Sequence, residues 1–286
     1  MDKFKQCLRI CKGNLKRILK NPRLYLALSW FAMTILFYLI QVRHLAVSLE
    51  QSVSAWIFPL LIVLSGNQMF VILGAVLLFC DAPFLYDNSG WQILRAGRRS
   101  WFWGNILYIW ILAFIYAVFI AVLPMLFLIP HISFRNEWGA LLGSLAQTSL
   151  ADQAGITPLS YGLMVRYEPV EAIVLTVLAV WLNGVLVGVI NYAANLLIRQ
   201  GVGPIFCMAM GVTPVLTEGL QTEIAQVSMY FSPPSWMNLM NYNWDGYGTN
   251  PSPEYIYLAF AVMIAVGIAA GRIGIVRKDL QMMQDM

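Results

Sequence analysis

The chain predicts an all-α integral membrane protein with six transmembrane helices, an N-terminal amphipathic interfacial helix and both termini in the cytoplasm. Three observations carry that prediction. Hydrophobic residues make up 59% of the 286 residues and charged ones only 11%, with a mean hydropathy of +0.69, beyond what a soluble surface tolerates. Apolar runs of roughly 16 to 30 residues, the length a bilayer demands, fall near 23–41, 56–81, 101–129, 169–198, 202–217 and 253–275. The basic residues then segregate by side. The N-terminal segment carries Lys3, Lys5, Arg9, Lys12, Lys16, Arg17, Lys20 and, at the start of the first run, Arg23, and Arg95, Arg98 and Arg99 follow the second. Arg199 follows the fourth, and Arg272, Arg277 and Lys278 close the last. Only Arg43, Arg135 and Arg166 fall on the opposite side. Short basic loops are retained in the cytoplasm, so this split orients the protein.

Residues 1–286 read as a single transmembrane domain, since the longest polar stretches, 130–168 and 218–252, are too short for a separate core. They are expected as extracellular loops. The net charge of +4 is an orientation signal, and no nucleic acid is expected as a partner. No cleavable signal is expected either, because the basic leader is long and no small-x-small site follows the first run. The four cysteines suggest no disulfide framework, lying in or near cytoplasmic segments and spans where thiols stay reduced. Cys7 and Cys11, one helical turn apart, are read as packing residues, with palmitoylation or metal binding as the alternative.

The segment 1–22 has helical periodicity. At 100° per residue Phe4, Cys7, Leu8, Cys11, Leu15, Ile18 and Leu19 share an arc of about 120°, and Lys5, Arg9, Lys12, Lys16 and Lys20 lie opposite. Such a helix lies in the interface, lysines among anionic headgroups. Asn21-Pro22 stops it.

Between the second and third runs, 82–100 forms a cytoplasmic loop. Asp87, Asn88 or Ser89 can cap a short helix beginning near Gly90, with Trp91, Ile93, Leu94 and Arg95 as its body and Gly97 as its C-terminal cap. Ser100 is expected to cap the third span, which opens with Trp101 and Trp103 at headgroup depth. Trp91, Ile93 and Leu94 beside Arg95, Arg98 and Arg99 make an apolar patch rimmed by charge, a surface suited to a protein partner or the membrane.

The basic N-terminal helix, six spans and this Arg-rich second loop resemble the ABC-2 type permeases. Residues 93–104 (Ile-Leu-Arg-Ala-Gly-Arg-Arg-Ser-Trp-Phe-Trp-Gly) are similar to that family's pattern at this place. The resemblance implies that the second loop is a coupling helix docking into a groove on a separate ATP-binding subunit. Two such subunits per complex would carry ATP and Mg, with no cofactor on this chain, and a second permease copy or a related permease would complete the pathway in a bacterial cell membrane. It also implies re-entrant extracellular helices before the last span, where 218–240 is apolar and interrupted by Pro233-Pro234.

The later spans carry packing signals. Asn183, Gly184, Gly188, Asn191 and Asn195 project within about 140° of one another, and Gly267 and Gly271 repeat the small-residue spacing in the last span. They are read as helix-packing residues, or as a subunit interface. The rest is absence. There is no G-x-x-x-x-G-K-[ST] loop, His44 and His131 form no metal motif, and no carboxylate lies in the middle of a span. The chain is thus expected to be a non-catalytic permease subunit of an ATP-driven exporter of apolar or amphipathic cargo (peptide, lipid or drug). The alternative is a non-transporting scaffold or a secondary carrier.

Overall fold

The described residues of the computed structural model, 3–85, 89–218, 220, 222–246 and 248–277, are predominantly helical. Four helices are long and apolar enough to cross a membrane: α2 (Pro22–Ser48), α6 (Arg98–Leu128), α10 (Pro169–Leu197) and α13 (Pro253–Arg277). In chain order, α1 (Lys3–Ile18) precedes α2, while α3 (Phe58–Ile62), α4 (Ser65–Phe79) and α5 (Ser89–Ala96) lie between α2 and α6. Three short helices, α7 (Gly139–Gln147), α8 (Leu150–Gln153) and α9 (Tyr161–Arg166), separate α6 from α10. The shorter α11 (Val202–Glu218) and α12 (Thr222–Met229) precede α13.

Asn21 and Pro22 mark the α1–α2 boundary. The Asn21 side chain accepts the Arg23 N–H at 3.0 Å, and Pro22 sits in the first turn, where its missing N–H costs nothing.

The second expected span, 56–81, is broken. The segments Ala55–Ile62 and Ser65–Phe79 meet at 97°. The break strands the carbonyls at the end of α3, and polar side chains meet them. Asn67 Nδ2 donates to Leu61 O at 2.7 Å, and Gln68 Nε2 to Ile62 O at 2.9 Å and Val63 O at 3.3 Å. Asn238 Nδ2 reaches Val63 O at 3.5 Å. In an apolar layer each unmet carbonyl would cost several kcal/mol, so Asn67 and Gln68 hold the bend.

α10 is the central helix, packed against α4, α6, α11 and α13. α2 and α13 are peripheral, with Met33, Phe37, Leu258 and Val266 exposed. Small residues set the close approaches. A Cβ on Gly184 would stand 3.1 Å from Ala113 Cβ of α6, one on Gly188 would collide with Ile109, and one on Gly267 with Val189 of α10.

At one end of the bundle, β1 (Val53–Ser54) and β2 (Ile132–Ser133) form a two-residue parallel pair, the one departure from an all-α plan among the described residues. Tyr167 ties this end together: its hydroxyl donates to Leu239 O at 3.2 Å and accepts the Trp244 indole N–H at 2.6 Å. Burial pushes the Tyr167 phenol above its usual range. The stretch expected to re-enter the membrane forms α12 and a 3₁₀ turn at Pro233–Met237, whose buried Trp236 lies edge-on to Phe260 of α13 at 5.0 Å.

At the opposite end Asp81 pairs with Arg23 and accepts from Asn21 Nδ2 at 3.3 Å, joining the end of α4 to the start of α2. Asn195 Nδ2 donates to Ala82 O at 2.7 Å, while its Oδ1 accepts the Gly203 N–H at 2.9 Å. One amide thus fastens three chain segments.

Candidate functional site

The surface expected to dock a partner is built around Gly97. With φ +78, a conformation that suits glycine, it ends α5 and starts α6. The Gly97 N–H donates to Ile93 O at 2.8 Å, and the Trp101 N–H to Gly97 O at 3.1 Å. Ser100, expected as the cap, sits inside α6 instead, and its hydroxyl donates to Gln6 Oε1 of α1 at 3.2 Å. The two helices therefore share one hinge residue, with no flexible linker between them.

The expected docking residues separate on the folded chain. Ile93 is 3% exposed and packs into the core, so it presents nothing to a partner. An eight-residue helix lying on a bundle must spend one face on that bundle. Leu94, at 66% exposure, points outward with Arg95 and Arg99. Arg98 is half-buried and donates from Nη1 to Val276 O at 3.4 Å, linking the α5–α6 corner to the end of α13. The side chain of Trp91, like residues Asp87 and Asn88, lies outside the described residues.

The amphipathic α1 is strapped to this corner. Buried Asn14 Nδ2 donates to Asn105 Oδ1 at 2.7 Å, and Ile10 lies where a Cβ on Gly104 would come within 2.8 Å. The expected apolar arc is therefore divided. Cys11 and Ile18, with Ile10 and Asn14, face the protein, while Phe4, Leu8 and Leu19 are exposed beside the basic strip of Lys5, Arg9, Lys12, Lys16 and Lys20. At 31 residues α6 is about 46 Å long, against a hydrocarbon core of about 30 Å. It has turns to spare at this end, and α1 covers them. Burial pushes the Cys11 thiol above its usual range. Asn14 was missed in the sequence because a polar residue near the apolar arc reads as an interruption, whereas it is the contact that fixes register. Asn105 carried no signal.

The packing stripe behaves as the interior of a single chain. Asn183, Asn191 and Asn195 are fully buried. Asn183 Nδ2 donates to Ala179 O at 3.1 Å, and Asn191 Nδ2 to Val187 O at 2.8 Å and Cys207 Sγ at 3.4 Å. Gly184, Gly188, Gly267 and Gly271 all meet residues of this chain. No group of three or more His, Cys, Asp or Glu able to hold a metal occurs among the described residues.

What this end offers chemically is an exposed Leu94 with exposed Arg95 and Arg99, joined to α6 through the single residue Gly97, and the exposed lysine strip of α1 packed on the same helix. Such a surface suits an acidic, partly apolar partner or anionic lipid. No family model, curated protein or solved structure matches this chain.

Proposed function

We infer that the chain is the membrane-spanning permease subunit of an ATP-driven exporter, driven by two ATP-binding subunits that carry ATP and Mg²⁺. In this reading α2, the α3–α4 pair, α6, α10, α11 and α13 are six passes of a multi-pass protein in a bacterial cell membrane, both termini cytoplasmic. The paired ends support that arrangement: Arg23 meets Asp81 at one end and Val53 pairs with Ile132 at the other. The observation that carries the functional reading is α5, a short exposed helix joined through Gly97 to α6. A push on Leu94, Arg95 and Arg99 would be transmitted to α6 and, through Arg98, to α13. The cargo is apolar or amphipathic, and a second permease copy or a related permease completes the pathway.

The burial of Ile93 favours a second reading, a non-transporting membrane scaffold, because it shrinks the apolar area left for docking. Co-purification separates the two. If α5 is a coupling helix, Leu94→Asp with Arg95→Glu and Arg99→Glu should cost on the order of 2 kcal/mol or more of docking energy. The ATPase would then be lost from the purified complex while membrane insertion is retained. An ATPase that remains stoichiometric and fully active with the triple variant would remove α5 as its docking helix, and a wild-type complex that purifies with no ATP-binding subunit would leave the scaffold reading standing.

A further inference from the structure

A cleft of about 260 Å³ opens beside Tyr167 and is lined by Arg166, Tyr167, Glu171, Trp244 and Asp245. Two chain segments build it. Arg166 ends α9 and Glu171 lies in the first turn of α10, so the α9–α10 junction supplies one wall. Trp244 and Asp245 come from the loop before α13, which is closed by the Asn243 N–H donating to Pro251 O at 3.1 Å.

The orientation of Trp244 points to a ligand. A tryptophan anchored at a membrane surface turns its indole N–H to water and its ring to the acyl chains. Trp244 does the reverse. Its N–H is turned inward onto the Tyr167 hydroxyl at 2.6 Å, and that hydroxyl is itself fixed by donating to Leu239 O at 3.2 Å. The indole is thus held by its polar edge, yet Trp244 remains 48% exposed. Its neighbours in the cleft are polar or charged, so apolar ring surface is left open among hydrogen-bonding groups.

Those groups form a second, independent observation, because they retain hydrogen-bonding capacity. Arg166 donates from Nη1 to Tyr242 O at 3.1 Å, but its Nη2 stands 3.9 Å from Asp245 Oδ2, too far for a hydrogen bond. A hydroxyl oxygen about 2.8–3.0 Å from each can accept from the guanidinium and donate to the carboxylate. The Glu171 carboxylate has no ion-pair partner among the described residues.

The combination selects a ligand class. Two carboxylates oppose a bare anion, Arg166 opposes a cation, and one exposed ring makes no aromatic cage for a quaternary ammonium. A pyranose suits both parts of the cleft. Its C–H face loses contact with water when it covers an indole, and its hydroxyls, each donor and acceptor, meet guanidinium and carboxylate alike. The volume lies just below the range of about 300–1,000 Å³ typical of drug-sized sites, which suits a single ring. We propose that this cleft binds a saccharide through one pyranose ring, stacked on Trp244 and hydrogen-bonded by Arg166, Glu171 and Asp245. A free sugar and a glycolipid headgroup present the same chemistry. The assignment does not rest on a partner ATPase.

The test is ligand-observed saturation-transfer NMR on the full chain in nanodiscs of phosphatidylethanolamine and phosphatidylglycerol, which carry no sugar. Glucose, N-acetylglucosamine and maltose are titrated, with tetramethylammonium and acetate as comparators. At least one sugar should bind saturably and in preference to both comparators. Trp244→Ala should weaken it about tenfold or more, and Trp244→Phe much less, because phenylalanine keeps a ring face. Glu171→Gln should also weaken it about tenfold, the loss expected for a hydrogen bond to a charged group. Discs that also carry glucosyl diacylglycerol separate the sources. Displacement of the free sugar there assigns the cleft to a glycolipid headgroup, and unchanged binding assigns it to a free saccharide. No saturable sugar binding, comparators bound as well as sugar, or affinities untouched by both Trp244→Ala and Glu171→Gln would each overturn the assignment. Glu171 is exposed, so its variant remains informative even if Trp244→Ala loosens the loop.

Discussion

Asn14 Nδ2 donates to Asn105 Oδ1 in a buried contact of 2.7 Å, and Asn105 Nδ2 has no hydrogen-bond partner among the described residues. Replacing Asn14 by Leu alone strands the Asn105 amide and should cost about 1–3 kcal/mol. The double change Asn14→Leu with Asn105→Leu should cost less than the sum, since neither polar group is then left behind. Thermal unfolding of the four proteins in detergent measures the coupling. Cys11 offers a second readout. Its buried thiol keeps its proton to higher pH than a free thiol, so the docked helix binds more protons than the released one. Docking is therefore favoured below the free-thiol range and weakens as pH rises through it. Maleimide should modify Cys11 slowly at neutral pH in the folded protein and much faster in Gly104→Leu, where the added side chain displaces Ile10. Equal rates would mean that α1 is not held in place. The burial of Cys11 was legible from the apolar arc, but the asparagine pair was not, because an asparagine signals nothing until its partner across 91 residues is known.

Among the elements, α10 shows how far periodicity carries. Its Asn and Gly stripe was legible as a packing face, yet periodicity cannot say whether the opposing surface belongs to the same chain. The fold supplies Ile109, Phe79 and Ala113. Gly188→Leu should therefore destabilise the chain itself, by about 1–3 kcal/mol as overpacking does, and lower the melting temperature of the monomer. Gly13→Ala is the control. No heavy atom lies within 4 Å of its new Cβ, and replacing a helical glycine should stabilise by about 0.5–1 kcal/mol. The broken α3–α4 pair was illegible for the opposite reason. Hydropathy sums residues without regard to direction, so Ser65-Gly66-Asn67-Gln68 merely lowered the average of an apolar run. Its meaning lies in where Asn67 and Gln68 send their amides, back to the carbonyls of the preceding helix.

For the whole molecule the orientation is testable directly. Single cysteines at positions 3 and 99 should be shielded from a membrane-impermeant thiol reagent in intact cells. Those at the exposed positions 147 and 245 should react. Labelling at 99 from outside would reverse the topology and remove the docking argument with it. The expected orientation rests on the sequence alone, because insertion weighs the local charge of short loops and the length of apolar runs, and both quantities are sums over neighbouring residues. The helical class and the short α5 ending at Gly97 were likewise set by local spacing and capping. The tertiary structure decided everything that needs two distant segments at once. It divided the α1 apolar arc into a docked face and an exposed one, turned Ile93 inward, bent the apolar run at 56–81 by 97°, and set Ser54 beside Ser133. These outcomes depend on which surface each residue meets, and that is fixed by packing across the chain, where a local pattern carries no information.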